Sequence, residues 1–157
     1  MKRYLSKFGS NLKALSLIGV LSLTVLGGPR PFHLVEHGKL YVTPRDPSGS
    51  VLDVVSEGSG TATHLGGITV QRTFTLTATA TPGVFDFNGE ATLTAASGEL
   101  LTSTITGTFN ANIGHADLIY EWTGGTGRFA NATGTTFWSV DVANGEYDVV
   151  ANGQIVY

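Results

Sequence analysis

Residues Thr73–Ala111 read TFTLTATATPGVFDFNGEATLTAASGELLTSTITGTFNA, and they decide the fold. From Thr73 to Thr81 every odd position is threonine, while the even ones are Phe74, Leu76, Ala78 and Ala80. After Pro82-Gly83 the phase resets. Phe85, Phe87, Gly89, Ala91, Leu93 and Ala95 then alternate with Asp86, Asn88, Glu90, Thr92 and Thr94. After Ser97-Gly98 a third run sets Leu101, Ser103, Ile105, Gly107, Phe109 and Ala111 against Thr102, Thr104, Thr106 and Thr108. Successive side chains of a strand point to opposite faces, so a period of two with one apolar face marks half-buried antiparallel strands. Threonine is β-branched and suits the solvated face of such a strand. Phe74, Leu76, Phe85, Phe87, Leu93, Leu101, Ile105 and Phe109 are therefore expected to be buried together.

The same texture runs outward to both sides. Strands are expected near 50–57, 59–65, 68–81, 84–96, 99–111, 114–122, 134–142 and 146–157. Gly- and Asn-containing turns separate them, with Asn144-Gly145 the best two-residue hairpin signal. No stretch after position 30 has helical periodicity. Eight strands with short links predict an all-β domain over 50–157, a closed antiparallel eight-stranded barrel, with a two-sheet β-sandwich as the alternative. Closure removes the edges that such strands would otherwise expose. A membrane barrel has the same period with the faces reversed. Here the apolar face is Phe, Ala and Gly, as in a filled interior, and aromatic girdles are missing.

Upstream the pattern changes. Lys2, Arg3, Lys7 and Lys13 precede the uncharged run Ala14–Gly28, ALSLIGVLSLTVLGG. A basic start and a short apolar stretch predict an export signal over 1–28, hence a secreted or periplasmic product with no membrane attachment after cleavage. Residues 29–49 hold four of the five prolines and read as a linker or N-terminal extension, with one short strand at Lys39–Thr43. Beyond Gly28 the five basic residues Arg30, Lys39, Arg45, Arg72 and Arg128 face all twelve acids, a net charge of -7. Two cations beyond position 46 cannot track a phosphate backbone, so nucleic acid is excluded as a partner. The absence of cysteine from the 157 residues excludes disulfides, thiolate metal sites and cysteine nucleophiles.

One segment carries a family resemblance. Gly124-Gly125-Thr126-Gly127-Arg128-Phe129-Ala130-Asn131-Ala132-Thr133-Gly134 resembles the GGTG-x-F-x-x-A-x-G segment of plant dirigent proteins and of the allene oxide cyclase barrels. The resemblance implies an eight-stranded barrel with this turn between two late strands. It is close over about twenty residues, and Thr63-His64-Leu65-Gly66 fits the same picture. The acids that dirigent proteins use have no motif here onto which they map. In physical terms Gly124 and Gly125 permit a tight exit through positive φ. Thr126 is placed to cap one helical turn, and Phe129 to plug a barrel end. Gly124, Gly125, Gly127, Phe129 and Gly134 thus read as a structural closure.

Other constellations hold residue types capable of chemistry. His33-Leu34-Val35-Glu36-His37 matches H-x-x-E-H, but that zinc pattern needs a helix and a third ligand, and this one lies in the expected linker, so no metal is expected. His115, Asp117 and Glu121 share one strand face and are expected to meet solvent opposite Ala116, Leu118, Tyr120 and Trp122. Asn131-Ala132-Thr133 fits a glycosylation sequon. No nucleophile elbow, phosphate loop or dinucleotide fingerprint is present, and no cofactor is expected. The function expected is a small exported barrel that binds a small apolar or aromatic molecule at its mouth. The candidates for that mouth are Asp86, Glu90, Glu121, Asp141 and Arg128. One alternative is a cyclase or dirigent-like enzyme, which needs one of these acids inside an apolar lumen with a raised pKa. The other is a homo-oligomeric surface protein using the Thr-rich wall.

Overall fold

The computed structural model describes residues 27–157. The expected export segment, apart from Gly27 and Gly28, lies outside the described residues. Eight strands follow one another: β1 (Arg30–Pro44), β2 (Val51–Ala62), β3 (Gly66–Ala78), β4 (Val84–Ala95), β5 (Leu100–Asn110), β6 (His115–Gly125), β7 (Thr135–Ala143) and β8 (Glu146–Ile155). Each pairs antiparallel with the next, and β1 pairs antiparallel with β8, from Arg30↔Ile155 to Lys39↔Glu146. The sheet is a closed up-and-down barrel, not a sandwich.

The strand count agrees with the sequence reading, but the assignment differs at the start. The stretch read as a linker supplies the fifteen-residue β1. Its prolines Pro31 and Pro44 sit near the strand's ends, where a missing ladder donor is tolerated. The two short strands expected at 50–57 and 59–65 are one continuous β2, because Gly58 and Gly60 extend the strand without turning it. The Asn144-Gly145 hairpin forms as expected, with φ of 54° and 80°, the paired positive values of a type I′ turn.

The faces fall as the alternation requires. Phe74, Leu76, Phe87, Leu93, Leu101 and Ile105 are buried, while Phe85 and Phe109 are half-buried at one rim. Thr73, Thr77, Thr104, Thr106 and Thr108 are exposed.

The two ends of the barrel are built differently. At one end lie the β2–β3, β4–β5 and β6–β7 connections together with Gly27–Pro29 and Tyr157. There Phe32, Leu34, Leu93, Leu101, Phe129 and Ile155 are at most 2% exposed and pack the lumen shut. Phe32 meets Trp122 at 5.1 Å between ring centroids, and Phe129 meets Tyr157 at 4.9 Å. The 3₁₀ turn Gly127–Phe129 carries Phe129 over the opening. Thr126 precedes that turn but does not cap it; its hydroxyl instead accepts from Leu100 N at 2.8 Å on the neighbouring hairpin. Gly124, Gly127 and Gly134 have φ of 121°, 57° and 126°, so three of the closure glycines occupy backbone that side chains resist. Gly125 serves differently. Its φ is not positive, but a Cβ there would collide with the Leu100 carbonyl.

Candidate functional site

At the opposite end the connections are the β1–β2, β3–β4, β5–β6 and β7–β8 loops, and none of them places a fully buried side chain over the lumen among the described residues. A cavity of about 230 Å³ opens there. Its walls are apolar: Leu40 and Val42 from β1, Leu52 and Val54 from β2, Phe74 and Leu76 from β3, and Phe87 and Phe109 from β4 and β5. Ala116 and Leu118 of β6, Val140 and Val142 of β7 and Val149 of β8 complete the ring. These side chains line the wall without closing the lumen, which leaves the cup hollow. An engineered cavity of about 150 Å³ lined by Leu, Ile and Phe stays dry and takes up benzene, so this one, open at its mouth, suits a molecule of about 9–11 heavy atoms.

The floor of the cup is polar. Half-way along the barrel the alternation places Glu36, Ser56 and Arg72 inward, together with Tyr120 and Tyr147. The Arg72 guanidinium meets Glu36 as a fork, Nη1 to Oε1 at 2.8 Å and Nη2 to Oε2 at 2.6 Å. Arg72 Nη1 also donates to the Tyr147 hydroxyl at 2.8 Å, and Nε donates to the Tyr120 hydroxyl at 2.6 Å. Tyr147 in turn donates to Glu36 Oε1 at 2.6 Å. The Trp138 ring lies 5.3 Å from Arg72 Cζ and stacks on Tyr120 at 3.9 Å and 11°. Both ion-pair side chains are at most 5% exposed. Charges so deep are tolerable only when paired and hydrogen-bonded, and here the pairing is bidentate.

The titration behaviour follows from this geometry. Burial pushes the Tyr120 phenol up to about 12 against the opposing pull of Arg72, and burial likewise raises Tyr147. Both hydroxyls keep their protons at neutral pH. Burial works against the Arg72 charge, yet the Tyr120 and Glu36 oxygens hold its pKa well above the ordinary arginine value. The floor is therefore a neutral ion pair flanked by two phenols.

Two glycines make room for it. Gly38 and Gly58 face each other in the β1–β2 ladder. A Cβ on either would strike the Tyr147 hydroxyl, and one on Gly58 would also strike Glu36 Oε1. The close approach of that pair needs a strand with no side chain.

One polar atom of the floor is left over. Ser56 is fully buried in the floor, and its hydroxyl lies against the Tyr147 phenol, sealed from the cavity. Ser103 Oγ and Trp122 Nε1 are also unpartnered, but they sit on neighbouring strands towards the packed end and do not line the cup.

The residues proposed from sequence for the mouth lie elsewhere. Asp86, Glu90, Glu121 and Asp141 occupy outward positions and are exposed, so none lines the cup. The strands' alternation forces this, because each is one residue away from an inward side chain. Arg128 is at the packed end. Its partners are Glu99, at 3.1 Å, and the His64 carbonyl, at 2.6 Å, rather than Glu121 or Asp141. It laces the three turns of that end together. His115 lies on the outer wall, with Nδ1 at 2.7 Å from Asp141 and Nε2 at 3.4 Å from Asp117. The hydrogen bond to Asp141 raises its pKa, against partial desolvation.

His33 and His37 point outward from β1 and Glu36 points inward, so the three residues of the H-x-x-E-H pattern cannot meet at one metal. The sequence reading missed Glu36 and Arg72 as a pair, although a signal was there. Phe32, Leu34, Glu36, Gly38, Leu40 and Val42 form a period-two row in which a lone acid occupies an apolar face.

Comparison with protein-family models finds none that matches this chain, and no curated protein matches it.

Proposed function

We propose that the barrel binds one small apolar or aromatic molecule in the open cup, acting as a carrier or receptor. The observation that carries this reading is the asymmetry of the lumen: one half is packed shut by aromatic and aliphatic side chains, while the other holds a cavity of about 230 Å³ with an apolar wall. Empty apolar volume costs dispersion contacts, roughly 24 cal/mol per Å³, and a ligand recovers them.

The closure turn Gly124–Gly134 and the eight-stranded barrel support grouping the chain with the dirigent and allene oxide cyclase barrels. Fold alone does not assign the chemistry. An enzyme reading needs an inward acid free to move a proton. Glu36 is the buried acid among the described residues, and both its oxygens are engaged by Arg72 and Tyr147. Binding is therefore preferred to catalysis. The basic start and uncharged run to Gly28 support export. N-terminal sequencing of the product from the medium or periplasm should begin near residues 27–35, and an intact Met1 in the cytosol would reject export.

Binding is tested with isopentylbenzene, an uncharged probe of matching size. At roughly 0.5 kcal/mol per heavy atom its 11 carbons give a Kd on the order of 0.1 mM by calorimetry. Ala116 is buried in the cup wall, so Ala116→Phe puts a ring into the cavity. That variant should fold and lose the probe. Equal binding by both proteins would place the probe outside the cup and reject the reading.

A further inference from the structure

Any polar group on a ligand of this cup has to stay at the mouth. The walls are apolar, and the floor is a sealed network in which Glu36 and Arg72 are closed on each other and on two phenols. A charged atom drawn down there would lose its water without replacement. A ligand therefore enters hydrocarbon first, and the surroundings of the mouth decide which polar ends it tolerates.

The barrel's charges are divided unevenly between its two ends. Asp46 lies in the β1–β2 connection. Asp53, Asp86, Asp117, Asp141, Glu146 and Asp148 lie within two strand residues of a connection at the open end. Seven of the twelve acids thus surround the mouth against two cations, Arg45 and Lys39, a net charge of -5 with the histidines neutral. At the packed end Arg30 and Arg128 stand against Glu99, a net charge of +1. The acids alternate along the strands with the cup lining itself: Asp117 stands between Ala116 and Leu118, and Asp141 between Val140 and Val142. None of them enters the cup or forms a site of its own. They ring the cup wall from outside, and a low-dielectric wall focuses their summed field in the opening.

Folding gives no reason for this ring. Arg45 is taken up by Asp53, and Lys39 is paired in register with both Glu57 and Glu146. Asp86 and Asp148 have no ion pair among the described residues. Asp141 and Asp148 are direct cross-strand partners on β7 and β8. Like charges so placed destabilise a sheet, and a cation in the opening relieves them.

We propose, building on the binding role above, that the cup takes lipophilic amines: the hydrocarbon or aromatic body fills the cavity, and a protonated amine stays hydrated in the acid-ringed mouth. A carboxylate on the same body is disfavoured by the same field. In water a unit charge about 10 Å away changes an affinity about two-fold, so a net charge of this size separates cation from anion by well over ten-fold when salt is low. Salt shortens the reach of the field and erases the preference.

Three probes share one 11-heavy-atom outline and differ at the outer end: 4-phenylbutan-2-amine, 4-phenylbutan-2-one and 3-phenylpropanoate, with charges of +1, 0 and -1. They are compared by calorimetry at pH 8.5, where a neutral His115 is favoured. In 10 mM salt the amine should bind at least about 10-fold more tightly than the carboxylate, and in 500 mM salt the ratio should fall to about 2–3-fold, while the ketone changes little. The double variant Asp141→Asn, Asp148→Asn should lower the amine-to-carboxylate ratio in 10 mM salt about 3–8-fold and leave the ketone unchanged. Its melting temperature at pH 8.5 should be no lower than wild type, because it removes an opposed pair of like charges.

Failure of the two readings looks different. If neither isopentylbenzene nor the ketone binds, the binding role itself falls. If the ketone binds but the carboxylate equals or exceeds the amine in 10 mM salt, or the double variant leaves their ratio unchanged, the cup accepts apolar bodies whatever their charge and the amine preference is wrong. Ala116→Phe, which fills the cup, should abolish amine binding. An amine retained by that variant would sit on the outer-wall acids and would also overturn the proposal.

Discussion

The packed end and the open end of this barrel are made by the same eight strands with the same alternation, yet only one is filled. At the packed end the inward row finishes in Phe32, Trp122 and Ile155, and the long β6–β7 connection folds Phe129 across the opening. At the open end the row finishes in Val42, Leu52, Val142 and Tyr147, and none of the described connections lays a buried side chain across it. Which side chains end the inward row, and whether a connection lays one across it as the β6–β7 turn does with Phe129, decide whether a barrel end becomes core or cavity. Between the two halves lies the Glu36–Arg72 layer, which marks the boundary.

That comparison can be broken at several points. The largest effect is expected at the boundary. Glu36→Ala leaves the Arg72 charge buried without its partner and should cost about 3–5 kcal/mol in urea unfolding. Replacing the pair together, Glu36→Leu with Arg72→Met, should restore much of that loss, because the desolvation cost disappears with the charges. Equal instability in the double variant would mean that the layer does more than satisfy itself.

At the packed end, Phe129→Ala should cost roughly 3–5 kcal/mol by opening a void under the closure turn. Gly125→Val should be similarly damaging, through collision with the Leu100 carbonyl rather than through φ strain.

A matched pair then compares the ends directly. Leu101→Ala, in the fully packed half, should cost about 3–5 kcal/mol, whereas Leu118→Ala, already bordering empty space, should cost nearer 2 kcal/mol. Equal costs would show that the cup is not hollow in solution.

The smallest effects belong to the outer wall. Thr104→Ala should stay within about 0.5 kcal/mol. Asp141→Asn should be of the same size, since Asp141 is 80% exposed and solvent screens its pairing with His115. The sign of its pH dependence is still defined. The folded His115 pKa is raised above its unfolded value near 6.5, so the pair's contribution is complete below that pH and is lost as pH rises through the folded value. Thermal melts of wild type and Asp141→Asn should converge above neutral pH and separate modestly below it.

Most of the fold was legible because threonine alternates so regularly with Phe, Leu and Ala between Thr73 and Ala111. β1 was not, because Pro29, Pro31, Pro44 and Pro47 frame it and proline argues against a strand. Its inward row became convincing only once β8 was there to pair with it. The closure turn was legible as a structure, since its glycines need unusual backbone, but its partner Glu99 comes from a different hairpin. The candidate site was the least legible part. Glu36, Ser56, Arg72, Tyr120 and Tyr147 come from five strands, and closure of the sheet, rather than any spacing in the chain, brings them together. The acids Asp86, Glu90, Glu121 and Asp141 interrupt the strands in the sequence, but at outward positions a charge stays exposed and marks no site.

The central claim is that one end of this lumen is solid and the other receives a ligand. The most direct measurement is a methyl-resolved NMR titration with 4-phenylbutan-2-one. Saturable shifts should appear at Leu40, Val54, Leu118, Val140 and Val149 around the cup, while Leu34, Leu93, Leu101 and Ile155 at the packed end stay still. No saturable shifts in the cup set, or shifts confined to the packed end or to the outer-wall residues Val35, Val55 and Val150, would contradict it.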